Sequence, residues 1–462
     1  MFNVYTRGVG DRRRNAHMRR ALLQVGLLGP LGLSLAQVRA TAAAGGDPGA
    51  RRETSCILLW LTGGPSHLDT FDPKPDGPAE IRGEFGVLNT PVAGMRVSEP
   101  FPKLARLAPH YALLRSVHHT QPDHVLAHQH VLCGQASLDA PYPHPGAVIS
   151  RLRGGVALAP PFVVLPRLLT LTTFGTSQLG QDAGAMGRAF DPLVPESVPP
   201  VAEKGVEALQ QGEILYRVRD LGMPPGVEEA RFRRRKELLA CADRGADAQL
   251  GPGAAGATAA RRKAFELIAS PQVRAAFDLS GESAALRDRY GRNYVGLGSL
   301  VARRLVEAGS RFVTVNFQGF TSGWDTHNDN FHAIRDRLGP TLDAALSSLL
   351  LDLHDRGLLD TTLVLCLGEF GRGPGLEGAA GRGHWPHCFT VLAAGGGVRG
   401  GQVIGASDAY GQYPAERPIP SPDLLATLYN RFGLAPDATY TARDGRPQPL
   451  APGGEVIREL FA

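Results

Sequence analysis

Imidazole and carboxylate side chains crowd a few short segments of this chain. GGPSHLDTFDP carries His67, Asp69 and Asp72, and HHTQPDHVLAHQHVLCG carries His118, His119, Asp123, His124, His128 and His130. QGFTSGWDTH carries Asp325 and His327, while EFGR and the following GRGHWPHC carry Glu369, Arg372, His384 and His387. Most of the 14 histidines lie in these stretches. Imidazole nitrogen together with carboxylate oxygen suits a borderline divalent ion such as zinc or manganese, and the oxygen donors alone would also suit calcium or magnesium. A structural zinc site usually draws on thiolates. Here Cys56, Cys133, Cys241, Cys366 and Cys388 lie apart from these donors, except for Cys133 and Cys388 at segment ends, and none shows CxxC spacing. The residue types therefore point to an open, catalytic kind of metal centre.

Such residues need elements to position them. Each segment follows an apolar run of strand length: CILLWLT (56–62), YALLRSV (111–117), RFVTVNF (311–317) and TTLVLCLG (361–368), with CFTVLAAGG (388–396) as a fifth such run. The runs are apolar throughout rather than alternating, as strands covered on both faces must be. Helical patterns lie between them. LGSLVARRLVEAG (297–309) ends on glycine, residues 331–357 space their apolar side chains by three and four, and SPDLLATLYNRFG (421–433) places Ser421 as N-cap before Pro422. This alternation predicts an α/β three-layer sandwich with a mostly parallel central sheet, which binds ligands at the carboxyl ends of its strands. Residues 165–296 differ in character, with loop-like sequence, charged helical stretches and the low-complexity GPGAAGATAA, and are expected to form a mainly helical insertion or cap. Its basic run RFRRRK (231–236) reads as a solvated helix face.

Composition removes whole classes of function. The chain has 462 residues, 43% of them hydrophobic, enough for a large buried core. Residues 1–42 read as a cleavable export leader: an arginine-rich start, Arg19-Arg20, the apolar run ALLQVGLLGPLGLSLA and small residues beyond it, in the manner of a twin-arginine signal. The leader holds seven arginines and one aspartate, so the remaining 43–462 carries about −1 of the overall +5. The high isoelectric point belongs to the leader, and no nucleic-acid surface is implied. Five scattered cysteines also exclude a disulfide scaffold. An exported, periplasmic protein follows, touching a membrane through the leader only, and anchored there if the leader is not cleaved.

GGPSHLDTFDPKPD, DHVLAHQHVLCG, RFVTVNF with GWDTH, LGEFGR, GRGHWP and GGGVRGGQVIGASD resemble, over essentially the whole chain beyond the leader, the planctomycete-type exported proteins of the DUF1501 family. That family is similar to the alkaline phosphatase and sulfatase superfamily, which implies an alkaline-phosphatase-like sandwich with metal ligands at strand ends. Carried over residue by residue, the resemblance makes Asp69 and His67 the ligand candidates after the first strand. It makes Asp325 and His327 the Asp and His of one ion, and Glu369 and His384 ligands near the penultimate strand, where Glu369-Phe370 replaces an Asp-His pair. Gly383 stands where the family pattern GRDHWP has an aspartate. Aligning VLCG (131–134) with the end of the sulfatase nucleophile motif puts His124, preceded by Asp123, at the nucleophile position. His124 could attack phosphorus, ligate the metal or pack, and water activated on a metal could replace a covalent step.

The function expected is an exported metal-dependent hydrolase of a phosphate or sulfate ester, on a small molecule or a glycan. His124, Asp123, His128 and Arg372 are its catalytic candidates, with His118 and His119 as further acids. Trp324 and Trp385 are expected to pack the ligand loops, or to stack on a sugar. The alternative is a non-catalytic exported binding or scaffold protein that keeps the sulfatase-like fold.

Overall fold

The computed structural model describes residues 54–461 apart from 139, 155–158, 172–175, 178, 199–214, 219–229, 232–233, 236, 239–269, 318–322, 436 and 443–444. The expected leader, Cys241 and much of the basic run at 231–236 lie outside the described residues.

An eight-stranded sheet organises the chain. Its strands are β1 (Ser55–Leu61), β2 (Tyr111–His118), β3 (Phe162–Leu165), β4 (Phe312–Phe317), β5 (Thr362–Leu367), β6 (Phe389–Ala394), β7 (Gln402–Ile404) and β8 (Ile419–Pro420). The order across the sheet is β7-β2-β6-β5-β1-β4-β3, with β8 also beside β2. β1 pairs in parallel with β4 and β5, β4 with β3, and β7 and β8 with β2; only β6 runs antiparallel to its neighbours. β1, in the middle, is buried at all seven positions, which is why its sequence shows no polar alternation.

Alternate β1 residues feed separate cores. Ile57, Leu59 and Leu61 join one apolar cluster, and Cys56, Leu58 and Trp60 join the other. Helices α3 (Tyr294–Glu307) and α4 (Gly339–Asp355) cover the first face. Helices α1 (His124–Cys133), α2 (Pro145–Arg153) and α5 (Ser421–Arg431) cover the second. The result is the three-layer α/β sandwich expected from the sequence.

Details differ from that expectation for local reasons. The helical stretch at 331–357 is broken: a π-turn spans Ile334–Leu338, closed by the Gly339 N–H on the Ile334 carbonyl. Pro340 has no N–H for the next α-helical bond, so the chain takes up an extra residue there. α5 begins at Ser421 with Pro420 as its cap, one residue earlier than expected. β3, four residues between prolines, is too short for its apolar run to stand out as a strand. Within 165–296 the described residues include short strand pairs, Thr170–Leu171 with Thr176–Ser177 and Glu196–Val198 with Leu215–Arg217, and the helices Pro271–Phe277 and Ala284–Tyr290. Among the described residues no helix is long and apolar enough to cross a membrane.

Candidate metal centre

Strands β1, β2, β4 and β5 deliver their following loops to one rim of the sheet. The loop after β2 turns into α1, where the exposed Asp123 caps the helix by accepting from the Val125 and Leu126 N–H groups at 2.9 and 3.1 Å. That capping role turns its carboxylate to the helix backbone. The next residue, His124, faces the loop after β4. Its Nε2 lies 3.3 Å from Asp325 Oδ2, and its Nδ1 lies 2.8 Å from Glu369 Oε1.

Two further histidines close the group. His384 Nε2 stands 3.2 Å from Asp325 Oδ1 and 2.9 Å from His327 Nε2, and His327 Nε2 is itself 3.2 Å from Asp325 Oδ1. His384 sits on a short ribbon, Gly371–Arg372 paired with His384–Trp385, directly after β5. Its Nδ1 donates to the Pro122 carbonyl at 2.8 Å, which turns its Nε2 toward Asp325. Phe370 packs its ring on those of His124 and His384, at 5.1 and 4.5 Å between centroids. That ring is a wall that holds both imidazoles in place.

These separations fit a metal ion. In a tetrahedral zinc site with bonds of about 2.0–2.1 Å, donor atoms stand roughly 3.3 Å apart, close to the 2.9–3.3 Å measured here. His124, Asp325 and His384 each offer a donor atom within 4.8 Å of the others, and His327 touches two of the three. Glu369 plays a different part. It is fully buried, its Oε1 also accepts the Gly63 N–H at 2.8 Å, and its Oε2 has no hydrogen-bond partner among the described residues. A carboxylate that grips the outer nitrogen of a ligating imidazole fixes its tautomer and raises its basicity.

Electrostatics agree with such an anionic cradle. Burial opposes a charged His124 ring, but hydrogen bonds to Asp325 and Glu369 outweigh it and raise its pKa to about 9. Burial likewise acts against the Asp325 carboxylate, yet His124, His384 and Arg372 hold it far below the usual range. Glu369 is also lowered, by His124, against its own burial. A divalent cation would take the place of the His124 proton.

The other expected site residues have different surroundings. Arg372 is fully buried: its guanidinium pairs with Asp325 Oδ1 and donates to the Gly63, Gly64 and Arg382 carbonyls. It fixes the orientation of the Asp325 carboxylate. His128 lies one turn into α1 beneath His124, buried against Trp60 with ring centroids 4.8 Å apart, and burial pushes its pKa down to about 4. His67 donates from Nε2 to the Gly411 carbonyl at 2.7 Å. Asp69 is committed to Arg382, at 2.7 and 3.2 Å, and accepts from Ser66 and Asn330. His67 and Asp69, expected as ligands, thus brace the loop beside the donor group. His119 donates to the Glu369 carbonyl at 2.6 Å, also as a brace. Trp324 is buried against Phe317.

Sequence reasoning missed Arg382 and Asn330, which hold Asp69. A buried-pair signal existed in Arg382, two residues before His384, but its partner lies 313 residues away. Beside Gly383, the carboxylate of Glu377 occupies the space a side chain would take, 2.5 Å from an ideal Cβ.

Two substitutions test this geometry. Gly63 has φ +105°, and a Cβ there would lie 2.3 Å from the Asp325 N. Gly63→Ala is therefore expected to displace the Asp325 loop and to lower both metal affinity and thermal midpoint, read by chelator competition and calorimetry. Glu369→Gln keeps the shape but removes the charge behind His124, and is expected to weaken metal binding about 10- to 100-fold in the same competition assay.

A family model described as a protein of unknown function, DUF1501, matches residues 53–461. The chain belongs to that family. No curated protein matches this DUF1501 member. Solved structures it is similar to include a phosphonate monoester hydrolase of Agrobacterium radiobacter, at 12% identity, covering 88% of this chain and 77% of that chain, with a TM-score of 0.34. A sulfatase from Pseudoalteromonas sp. is similar at 12% identity, covering 83% and 69%, with a TM-score of 0.32. A protein of a glycosaminoglycan-metabolism locus of Bacteroides thetaiotaomicron is similar at 10% identity, covering 89% and 76%, with a TM-score of 0.37.

Proposed function

We propose that this DUF1501 protein is a divalent-metal-dependent hydrolase of a phosphate or sulfate ester, exported through its leader to the periplasm. The supporting observation is the gathering of His124, Asp325 and His384, each with a donor atom within 4.8 Å of the others, with His327 beside Asp325 and His384. Their nitrogen-rich set favours zinc or manganese over calcium or magnesium. A bound ion would polarise an ester oxygen and lower the pKa of a water from 15.7 toward about 7. The chain's own residues do the rest. Glu369 and the Pro122 carbonyl orient the imidazoles, and Arg372 holds Asp325 ionised toward the ion. His124, at the first turn of α1, adds the positive end of a ten-residue helix to the place where an anionic ester would sit. In this reading His124 is a ligand, and water rather than a side chain attacks.

One set of observations favours the non-catalytic alternative. Burial raises the pKa of each described cysteine, Cys56, Cys133, Cys366 and Cys388, so none is an activated thiol. Arg372, in addition, already commits most of its N–H groups to Asp325 and to three carbonyls. The two readings separate in one experiment. Protein recovered from the periplasm is assayed for bound metal, then for turnover of aryl phosphate and aryl sulfate esters. One to two equivalents of metal with turnover that EDTA removes supports the hydrolase; metal without turnover on either ester supports the binding protein.

A further inference from the structure

We infer that the hairpin Ala406–Glu416 and the ribbon residue Trp385 form a binding platform for neutral sugar rings, distinct from the metal centre. Trp385, His387 and Tyr413 make a three-ring cluster, with centroids 5.0 to 5.7 Å apart. Tyr410 and Tyr413 are 49% and 50% exposed, and they are the aromatic members among the exposed large hydrophobic residues described. Both lie on this one loop.

The loop is pinned by hydrogen bonds to its own backbone. The Asp408 carboxylate accepts from the backbone N–H groups of Tyr410, Gln412 and Tyr413 at 3.0, 2.8 and 3.1 Å. His67 donates to the Gly411 carbonyl, and the Trp385 indole donates to the Gln412 carbonyl at 2.6 Å. Half-exposed aromatic faces on a pinned backbone lose little freedom when a ligand arrives, which is the property of a preorganised binding surface.

The chemistry of the patch selects its ligand. The C–H faces of a pyranose pack on aromatic rings while its hydroxyls seek the phenol, imidazole and amide groups between them. An apolar protein partner would need a continuous apolar area, and here polar groups separate the rings. A polyanion is disfavoured, because the hairpin carries Asp408 and Glu416 and neither lysine nor arginine.

The position relative to the metal centre follows from strand alternation. His384 and Trp385 are neighbours on an extended ribbon, so they face opposite sides of it. The platform therefore stands on the other side of the ribbon from the metal centre, and the binding of sugar does not rest on the hydrolase reading above.

The test is affinity electrophoresis of EDTA-treated protein in native gels cast with neutral mixed-linkage glucan, galactomannan or xylan. Retardation in at least one gel is expected, with an apparent Kd raised at least about tenfold in a Tyr410→Ala/Tyr413→Ala variant. Tyr413→Phe, which keeps the ring, is expected to retain most of it. Absence of retardation in all three gels, or unchanged retardation in the double variant, overturns the platform. Turnover of an aryl ester, too small to span the ribbon, is measured separately in the same variants. It is expected to be unchanged, so loss of the sugar platform and loss of the hydrolase are distinct results.

Discussion

Asp325→Ala is expected to leave the protein without its metal and, if it turns over an ester, to lower that turnover about a thousandfold or more. The carboxylate lies 3.2–3.3 Å from all three imidazole donors, so its loss removes a contact from each of them. Charge stabilisation by a catalytic ion is worth several kcal/mol, and about 4 kcal/mol is roughly a factor of 10³. Alanine also strips Arg372 of its charged partner, so Asp325→Asn is the control: it keeps an oxygen for the guanidinium and removes the negative charge. Metal analysis after dialysis, together with rates on aryl phosphate and aryl sulfate, decides the matter. A variant that keeps a full equivalent of metal would remove Asp325 from the centre, and with it the proposed mechanism.

Arg382→Met should cause the largest loss of stability among single changes near the site. Arg382 and Asp69 are both fully buried, with a bidentate contact at 2.7 and 3.2 Å, and the same guanidinium donates to the Ile81, Gly373 and Pro374 carbonyls. Removing one partner of such a pair leaves an uncompensated buried charge, at a cost of about 3–5 kcal/mol. The double change Arg382→Met/Asp69→Leu removes both charges and should recover part of that loss. Urea denaturation of the four proteins completes the cycle. If Arg382→Met unfolds at the same urea concentration as the parent, the pair is not what holds the loop after β1 to the ribbon.

These two aspartates show how far composition and spacing could be read. Both follow a buried strand, both precede or follow a histidine by two residues, and both looked like ligands. Asp325 meets imidazoles; Asp69 meets Arg382. Nothing local distinguishes them, because each partner comes from a different strand end and is chosen by the sheet order. Glu369 is similar: its letter announced a carboxylate at the end of β5, but only packing turned it toward the outer nitrogen of His124 rather than toward an ion. Asp123 was the opposite case. An aspartate directly before an apolar helical run is the pattern of an N-cap, and the structure uses Asp123 as one.

The sequence alone determined the layers of the sandwich. Period and length of apolar runs are local properties, and a strand buried on both faces cannot hide its composition. It also determined that the histidines and acids lie at strand ends, since each follows its strand directly. Which of them meet was decided by tertiary structure. The adjacency of the parallel β1, β4 and β5 within the sheet, and the fold-back of the Gly371–Arg372 and His384–Trp385 ribbon, bring side chains separated by as many as 245 positions within hydrogen-bonding distance. Contacts of that range depend on the registry of the whole sheet, and no short stretch of residues encodes it.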